Sequence, residues 1–380
     1  MVERENAAVA ERSVRERSVR ERSGGERKMD AGQVVVGQLK RSLGSGLVHT
    51  PAIRFFHPAT TGVVTIFVLH RFGVSRTGTS PNHLRKTLSY LRRNDYQLLS
   101  LDEVVRCFAG EGPPLRKAVA FTVDDGYLDQ ATVGAPIFLE FGCPVTIFLT
   151  TGFLDGKVVP WWDSVRYVFA NTSLHQFQLE LGGTLVSYAC STREERFQSE
   201  MAFLCRAKDV TDTERRVGIE NLAVAAEVAL PGHPVSPNLP MSWDQARSLE
   251  RSGVTFGPHT VTHPILSQVS AEAAEHEMTE SWRRLRQELD HPVPVFCYPN
   301  GRLVDFGPRE IRFAKKLGMT GAVTVDEALA DFRRPKTDPD DPFRASRVAF
   351  PEDLLDTLFC ASGLDRVQRR LVASTKRWRA

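Results

Sequence analysis

The feature that most constrains the fold is a repeated alternation of short, continuous apolar runs with longer amphipathic segments. The clearest apolar run is VVTIFVL at residues 63–69, and a similar run, AVAFTV, occupies residues 118–123. Strands buried on both faces have uninterrupted apolar sequences, whereas strands with one solvated face alternate between apolar and polar residues. The pattern therefore predicts parallel strands connected by helices that cover the sheet.

The alternation continues for most of the chain, through the runs YQLLS, PVTIFLT, VTFG, VPVFCY and TGAVTV. Seven or eight units of one strand and one helix favour a closed but distorted (β/α) barrel of the TIM type. An open, doubly wound sheet is the alternative, because it is also built from buried parallel strands and covering helices.

Residues 171–239 interrupt this pattern. The stretch FQLELGGTLVSYAC predicts two strands joined at a Gly-Gly turn, and two helical stretches follow it. We predict a subdomain inserted into one loop of the barrel. Just before it stand Trp161 and Trp162, whose rings suit either stacking on a sugar face or fixing the insertion against the barrel. The packing role is slightly favoured.

Both ends of the chain differ from the part between them. Residues 1–28 contain the repeated unit ERSVR and almost nothing to bury, which predicts a disordered, low-complexity extension. Residues 29–62 form a lead-in to a barrel that we place at residues 63–350. The last part, residues 351–380, predicts a helix followed by a tail with six basic residues. A solvated helix end is favoured there over contact with an anionic surface.

Composition excludes several classes of protein. With 380 residues, 42% of them hydrophobic, and a net charge of +3, the chain can bury a large core and has no overall bias towards nucleic acid. The six cysteines are far apart and form no CxxC pair, which argues against a disulfide scaffold and a cysteine zinc site. No transmembrane run or signal peptide is seen, so a cytoplasmic location is expected, with peripheral attachment to a membrane kept open. The oligomeric state does not follow from the sequence.

Polar residues stand where four of the predicted strands end. They are His70 after the first run, Asp124 and Asp125 after the second, His259 and His263 after VTFG, and the YPNG turn at residues 298–301. In a parallel barrel these ends open onto one face, where active sites are built. Neighbouring residues in extended chain point to opposite sides, so the two carboxylates can serve different partners.

One carboxylate and two imidazoles form the ligand set of a catalytic zinc, because they leave a fourth position open for water. His259 and His263 are four residues apart, a spacing that converges if the segment makes one turn. The metal would make hydroxide available, and the second carboxylate could accept the proton. Two histidines and one carboxylate also serve non-heme iron oxygenases, so that class stays open.

Three segments, FTVDDGY, HTVTHP and YPNG, resemble the motifs of the polysaccharide deacetylases, the NodB-homology group also called carbohydrate esterase family four. The resemblance covers about residues 63–324, interrupted by the insertion. It implies a distorted (β/α) barrel and metal-dependent removal of acetyl groups from N-acetylated sugars, usually with zinc. The implied partner is an N-acetylated glycan. A hydrolase of small amides on the same fold is an alternative, while a catalytically silent carbohydrate-binding module is disfavoured by the intact motifs.

Roles follow from the resemblance position by position. Asp124 corresponds to the general base, and the main-chain N–H of Asn300 to the oxyanion donor. The residues that correspond to metal ligands are Asp125, His259 and His263. The candidate substrate contacts are Tyr127, Trp161, Trp162 and Tyr298.

The chain departs from the family pattern at two places. Many members have an arginine at the head of the third motif, where this chain has Cys297, and Arg302 is the candidate replacement. Many also have a late Leu-x-His motif that supplies the general acid, yet no histidine follows His291. His70 is the candidate acid, because LHRF resembles the Y-H-R segment of a subgroup. The other role open to His70 is that of a hydrogen-bonded residue shaping the barrel mouth.

Overall fold

A computed structural model describes residues 61–73, 78–326, 328–332 and 338–363. The predicted extension at residues 1–28, almost all of the lead-in and the basic tail lie outside the described residues. The strands are β1 (Val63–Leu69), β2 (Gln97–Leu99), β3 (Ala118–Asp125), β4 (Thr146–Leu149), β5 (Gln176–Leu181), β6 (Thr184–Ala189), β7 (Thr255–Pro258), β8 (Val295–Cys297), β9 (Gly321–Val325), β10 (Ala330–Asp331) and β11 (Ala345–Ala349).

The helices of the described residues lie between these strands or at the end of the chain. They are α1 (Pro81–Arg93), α2 (Leu101–Phe108), α3 (Ala135–Glu140), α4 (Thr151–Leu154), α5 (Trp161–Asn171), α6 (Arg193–Ala207), α7 (Asp212–Ala225), α8 (Trp243–Arg251), α9 (Ala271–Glu288), α10 (Pro308–Lys316) and α11 (Leu354–Ala361).

Parallel strands form a nearly closed barrel. They are hydrogen-bonded in the order β7-β4-β3-β1-β11-β9-β8, and a main-chain hydrogen bond from Val293 N to Phe256 O, 2.8 Å long, links the two ends. Around the ring the strands therefore follow one another in chain order, whereas a doubly wound sheet reverses its order at a switch point. The predicted distorted (β/α) barrel is confirmed.

The two strands that carry the strongest apolar runs lie side by side. Every residue of β1 and β3 is buried, and their parallel register pairs Val64 with Ala118 and Leu69 with Val123. Phe67 stacks on Phe121 with 5.4 Å between ring centroids. Burial of these side chains on both faces of the sheet is the driving force that the apolar runs indicate.

Helix starts agree with the capping chemistry of the sequence. The helix expected from residue 242 begins at Trp243, because Ser242 is its N-cap: the Ser242 hydroxyl accepts a hydrogen bond from Gln245 N, and the Gln245 side chain accepts one from Ser242 N. After β3, the expected single helix is instead a π-helical turn, Gln130–Gly134, followed by α3. Such turns are frequent at functional sites.

The inserted segment has a hydrophobic cluster of its own. β5 and β6 pair as an antiparallel hairpin about Gly182 and Gly183, both in the left-handed region with φ of 61° and 71°, so the predicted Gly-Gly hairpin is confirmed. The cluster contains residues of both strands, of α6 and α7, and also Phe169 of α5. Helix α5, which starts with the two tryptophans, thus packs with the inserted elements.

Two further features bear on class and location. All six cysteines are free, in line with a chain that has no disulfide scaffold. Among the helices of the described residues, none is both long and apolar enough to span a bilayer.

Gly152 allows the loop that carries the two histidines to approach the barrel closely. Its N–H donates to Val261 O at 2.9 Å, and a Cβ at position 152 would lie only 2.6 Å from that same oxygen. The preceding N–H, of Thr151, donates to Thr260 O at 3.1 Å. A side chain at position 152 would therefore push the loop away from α4.

We expect Gly152→Ala to lower the free energy of unfolding by about 1–3 kcal/mol, as overpacking usually does. Gly232→Ala is the matched control, since nothing lies within 4 Å of a Cβ there, and it should change stability by less than about 0.5 kcal/mol. Urea unfolding of both variants measures the difference, and equal losses would contradict the close approach.

Candidate functional site

The polar residues expected at the barrel mouth lie together at the carboxyl ends of the strands. Gln130 fixes two of these ends, because its Nε2 donates to His70 O at 2.6 Å and to Asp124 O at 2.5 Å. Its Oε1 accepts from Gly126 N at 3.1 Å. One fully buried amide thus holds the end of β1 against the end of β3.

Asp125, His259 and His263 converge at this mouth. Asp125 Oδ1 lies 3.7 Å from Nε2 of each histidine, and the two imidazole rings are nearly perpendicular, with centroids 4.6 Å apart. All three residues are buried. Ligand atoms bound to one tetrahedral zinc at about 2.0–2.2 Å lie roughly 3.4 Å from one another, so both carboxylate–imidazole separations are close to those of such a ligand set. All three ligand atoms lie within 4.8 Å of one another.

The electrostatics of these three residues suit a cation. Burial raises the pKa of Asp125 well above its ordinary value, and the neighbouring carboxylates of Asp124 and Asp163 raise it further. Burial lowers the pKa of His259 to about 4 and that of His263 well below its ordinary value. The imidazoles are therefore neutral, the form that binds metals, and a cation would stabilise the ionised Asp125. The donor set fits a divalent metal.

Hydrogen bonds fix the His259 ring and the loop between the two histidines. His259 Nδ1 lies 2.8 Å from Cys297 O, so the Nδ1–H donates to this carbonyl and Nε2 is left free towards Asp125. The loop between the histidines is anchored on α9, because Glu277 Oε2 accepts from Val261 N and Thr262 N at 2.7 and 2.9 Å. The histidines thus converge through an anchored turn instead of a helix.

Backbone strain is concentrated at this site. Among the described residues seven non-glycine residues have positive φ, and four of them belong to the site: Asp125 (90°), Thr260 (65°), His263 (60°) and Asn300 (63°). Each such conformation costs about 1–3 kcal/mol and persists only where the surrounding structure enforces it. The surrounding structure therefore enforces unfavourable backbone conformations at the barrel mouth.

Asp124 forms a buried ion pair with Arg347, which comes from β11. Arg347 Nη1 donates to Asp124 Oδ1 at 2.7 Å and Nη2 donates to Oδ2 at 2.8 Å. Burial alone would raise the pKa of Asp124, but the Arg347 guanidinium outweighs it and holds this pKa below its ordinary value. Asp124 is therefore ionised at neutral pH.

The arginine that the third motif lacks is thus supplied by a different strand, and the expectation for Arg302 is wrong. Arg302 is bound to Asp305, with Nη2 2.9 Å from Oδ1, and its side chain is 44% exposed. The apolar runs do not predict strand β11, because it follows a stretch rich in proline and aspartate and has a charge at its centre. The sequence does contain a strand signal there, since Arg347 stands among the strand formers of ASRVAF.

A second group of possible metal ligands consists of Asp124, His259 and Cys297, whose ligand atoms also lie close together. The Arg347 guanidinium already occupies both Asp124 oxygens and lies 3.1 Å from Cys297 Sγ. Burial also raises the pKa of the Cys297 thiol well above its ordinary value, which keeps it protonated. This group is therefore poorly suited to a cation.

The other proposed catalytic residues lie near the carboxylates. His70 Nε2 is 4.0 Å from Asp124 Oδ2, and its side chain is 54% exposed at the barrel mouth. Asn300 is fixed by its side chain, whose Nδ2 donates to Asp305 Oδ2 at 2.7 Å. The oxyanion role of the Asn300 main chain and the acid role of His70 stay predictions.

The aromatic residues expected to contact substrate are packed against protein. Tyr127 and Tyr298 are each 1% exposed, and Tyr298 stacks on Phe306 with centroids 3.9 Å apart. The Arg215 guanidinium lies over the Trp161 ring, 5.2 Å from the centroid of that ring, and the Trp162 ring contacts the His263 ring. The expectation that the two tyrosines contact substrate is therefore corrected, because a buried ring offers no face to a sugar. The contacts of the two tryptophans agree with their packing role.

Comparison with known protein families gives a match over part of the chain. Residues 220–322 match the family model described as polysaccharide deacetylase, a range that contains the second and third motifs but not the first. The resemblance to the polysaccharide deacetylases is confirmed. No significant match was found among curated proteins.

Two solved structures share the fold of this polysaccharide deacetylase-like chain. The Streptococcus pyogenes deacetylase PplD, solved in complex with acetate, is 17% identical, covers 80% of this chain and 99% of its own, and has a TM-score of 0.51. IcaB from Ammonifex degensii is 15% identical, covers 80% of this chain and 98% of its own, and also has a TM-score of 0.51. At these identities the likeness concerns the fold alone.

The Arg347–Asp124 pair gives a stability prediction for the deacetylase-like barrel. Arg347→Met leaves a buried carboxylate without its partner and should lower the free energy of unfolding by about 3–5 kcal/mol at pH 7. Arg85→Met, which breaks an exposed pair with Glu140, should cost less than about 1 kcal/mol.

Urea unfolding measures both losses. The double variant Arg347→Met/Asp124→Ala should recover part of the loss, because neither charge then remains buried alone. A loss in Arg347→Met no larger than that in Arg85→Met would show that the pair does not have the assigned role.

Proposed function

We propose that the chain is a metal-dependent hydrolase that removes N-acetyl groups from an acetylated polysaccharide or oligosaccharide, with zinc as the expected metal. The observation that carries this proposal is the convergence of Asp125, His259 and His263 beside an ionised Asp124. The family match over the second and third motifs supports the same chemistry.

The three buried residues would hold the cation, each through one atom: Asp125 Oδ1, His259 Nε2 and His263 Nε2. A bound cation would supply a water of lowered pKa and a Lewis acid for the acetyl carbonyl. The neutral state of both imidazoles means that no proton has to leave them before they act as ligands.

Asp124 would be the general base. Arg347 keeps it ionised and holds both of its oxygens, so the carboxylate is in the unprotonated form that a base needs and cannot rotate away, while the same pairing lowers its affinity for a proton. The water proton goes to Asp124 while the water oxygen forms the new bond to the acetyl carbon. The main-chain N–H of Asn300 would stabilise the charge that develops on the carbonyl oxygen.

His70 would be the general acid. Breakage of the carbon–nitrogen bond releases acetate and an amine, and the amine nitrogen needs a proton as it leaves. His70 is half-exposed at the mouth, with Nε2 4.0 Å from Asp124 Oδ2. Burial lowers the pKa of His70, while the Asp124 carboxylate acts in the opposite direction and favours the protonated form that an acid needs. The exposure of His70 also leaves room for the leaving sugar.

The two neighbouring aspartates should differ when each is changed to asparagine. Asp124→Asn should retain metal and lose activity, since an amide cannot accept the proton, whereas Asp125→Asn should also lose metal. Metal analysis and acetate release from N-acetylglucosamine oligosaccharides measure the two effects. Asp244→Asn, at an exposed carboxylate outside the site, is the control and should change neither.

Equal loss of metal in both variants would contradict the separate roles. Acetate released from acetamide but from no oligosaccharide would favour a small-amide hydrolase. Oxygen consumption by the iron-loaded protein, without acetate release, would favour an oxygenase.

The loss of kcat on replacing His70 should depend on the leaving group of the substrate. His70→Ala should keep its metal while kcat on an N-acetylated sugar falls by about two to four orders of magnitude. The loss should shrink on an activated aryl acetate, whose leaving group needs no proton. His233→Ala, at an exposed histidine of the insertion, should leave both rates unchanged. Equal losses on amide and ester would assign His70 a structural role.

A further inference from the structure

The two metal-binding histidines differ in what fixes their rings. A histidine that binds a metal almost always donates its other ring N–H to a nearby acceptor, which sets the ring orientation. His259 does this through Cys297 O. His263 Nδ1 is buried and has no hydrogen-bond partner in the described chain. Since that anchor is absent, packing contributes to the orientation of the His263 ring.

Trp162 supplies that packing. Its ring meets the His263 imidazole in a T-shaped contact, with centroids 4.5 Å apart and an interplanar angle of 72°. The main chain of His263 is fixed separately, because its N–H donates to Thr260 Oγ1 at 3.0 Å. The indole thus restrains the side chain where the hydrogen bond does not.

Trp162 is itself held by a series of side-chain hydrogen bonds. Its Nε1 donates to Tyr127 Oη at 2.7 Å, and Tyr127 Oη donates to Asp163 Oδ2, also at 2.7 Å. The Arg71 guanidinium lies 4.0 Å from the centroid of the Tyr127 ring, so the phenol is fixed from its face as well. The Trp162 ring therefore has little freedom to rotate.

This series of contacts continues into the inserted subdomain. Arg166 of α5 lies 3.4 Å from Asp163 Oδ1 and donates from Nε to Glu200 Oε1 of α6 at 3.1 Å. A continuous series of contacts thus joins the metal-binding imidazole to a helix of the inserted subdomain.

We propose that Trp162 is a positioning residue for His263, and that through it the inserted subdomain raises the affinity of the site for its divalent metal. The inference rests on the proposed function, because it requires that His263 binds a metal. The Trp162 indole N–H is directed to Tyr127 and the Trp162 ring to His263, so both contacts act on the ligand.

The test is a zinc titration of the metal-free protein against a chelator of known affinity. Trp162→Phe removes the N–H donor and should weaken zinc binding about 10–100-fold, the usual effect of losing a residue that orients a ligand. Tyr127→Phe removes the hydroxyl that holds the indole and should weaken zinc binding in the same direction. Cobalt loaded into either variant should show a shifted visible absorption spectrum.

Trp243→Phe is the matched control. Its indole also donates to a neighbouring oxygen, Asp155 Oδ1 at 2.8 Å, and also lies beside an arginine, but it does not belong to the site. This variant should lose some melting temperature and keep its zinc affinity, which separates a positioning role from a general packing role.

The zinc affinity and the KM of the variants decide between the possible roles of Trp162. Wild-type zinc affinity in Trp162→Phe and Tyr127→Phe overturns the inference, whatever their melting temperatures. A raised KM with unchanged zinc affinity would also overturn it, because Trp162 would then contact substrate. If Trp162→Phe fails to fold, Tyr127→Phe alone decides. Absence of zinc binding in the wild-type protein would instead reject the proposed function, and the inference with it.

Discussion

A buried ion pair between Arg347 and Asp124 is the interaction on which the proposed base and the closure of the barrel depend. Burying two charges is costly unless every hydrogen-bonding atom finds a partner. All five N–H donors of Arg347 have one: Asp124 Oδ1 and Oδ2, Thr122 Oγ1, Thr324 O and Cys297 Sγ. The pair joins β11 to β3, so the contact that keeps the proposed base ionised also fixes the strand that closes the barrel between β1 and β9.

The proposed metal ligands depend on separate supports that come from different parts of the chain. Gln130 fixes the end of β3, Cys297 O orients His259, and Glu277 anchors the loop between the histidines. Positive φ at Asp125 and His263 is maintained by these contacts. The geometry is therefore a property of the whole barrel mouth, and a change in any one support should be felt at the ligands.

Much of this could be predicted from the sequence, because the relevant signals were local. Continuous apolar runs indicate buried parallel strands, and polar residues at their ends, such as Asp125 and His259, indicate a site at one face. Arg347 could not be assigned in this way, since its role depends on which strands become neighbours after folding. The inward packing of Tyr127 and Trp162 likewise depends on tertiary contacts that no spacing along the chain encodes.

The proposed metal site is tested most directly by crystals of the protein grown with zinc and examined by anomalous diffraction at the zinc edge. One strong peak is expected within bonding distance, about 2.0–2.2 Å, of Asp125 Oδ1, His259 Nε2 and His263 Nε2. The Arg347–Asp124 pair should stay intact beside it. A peak bound instead by Asp124 and Cys297, or a barrel mouth without any peak at saturating zinc, would contradict the proposed metal site.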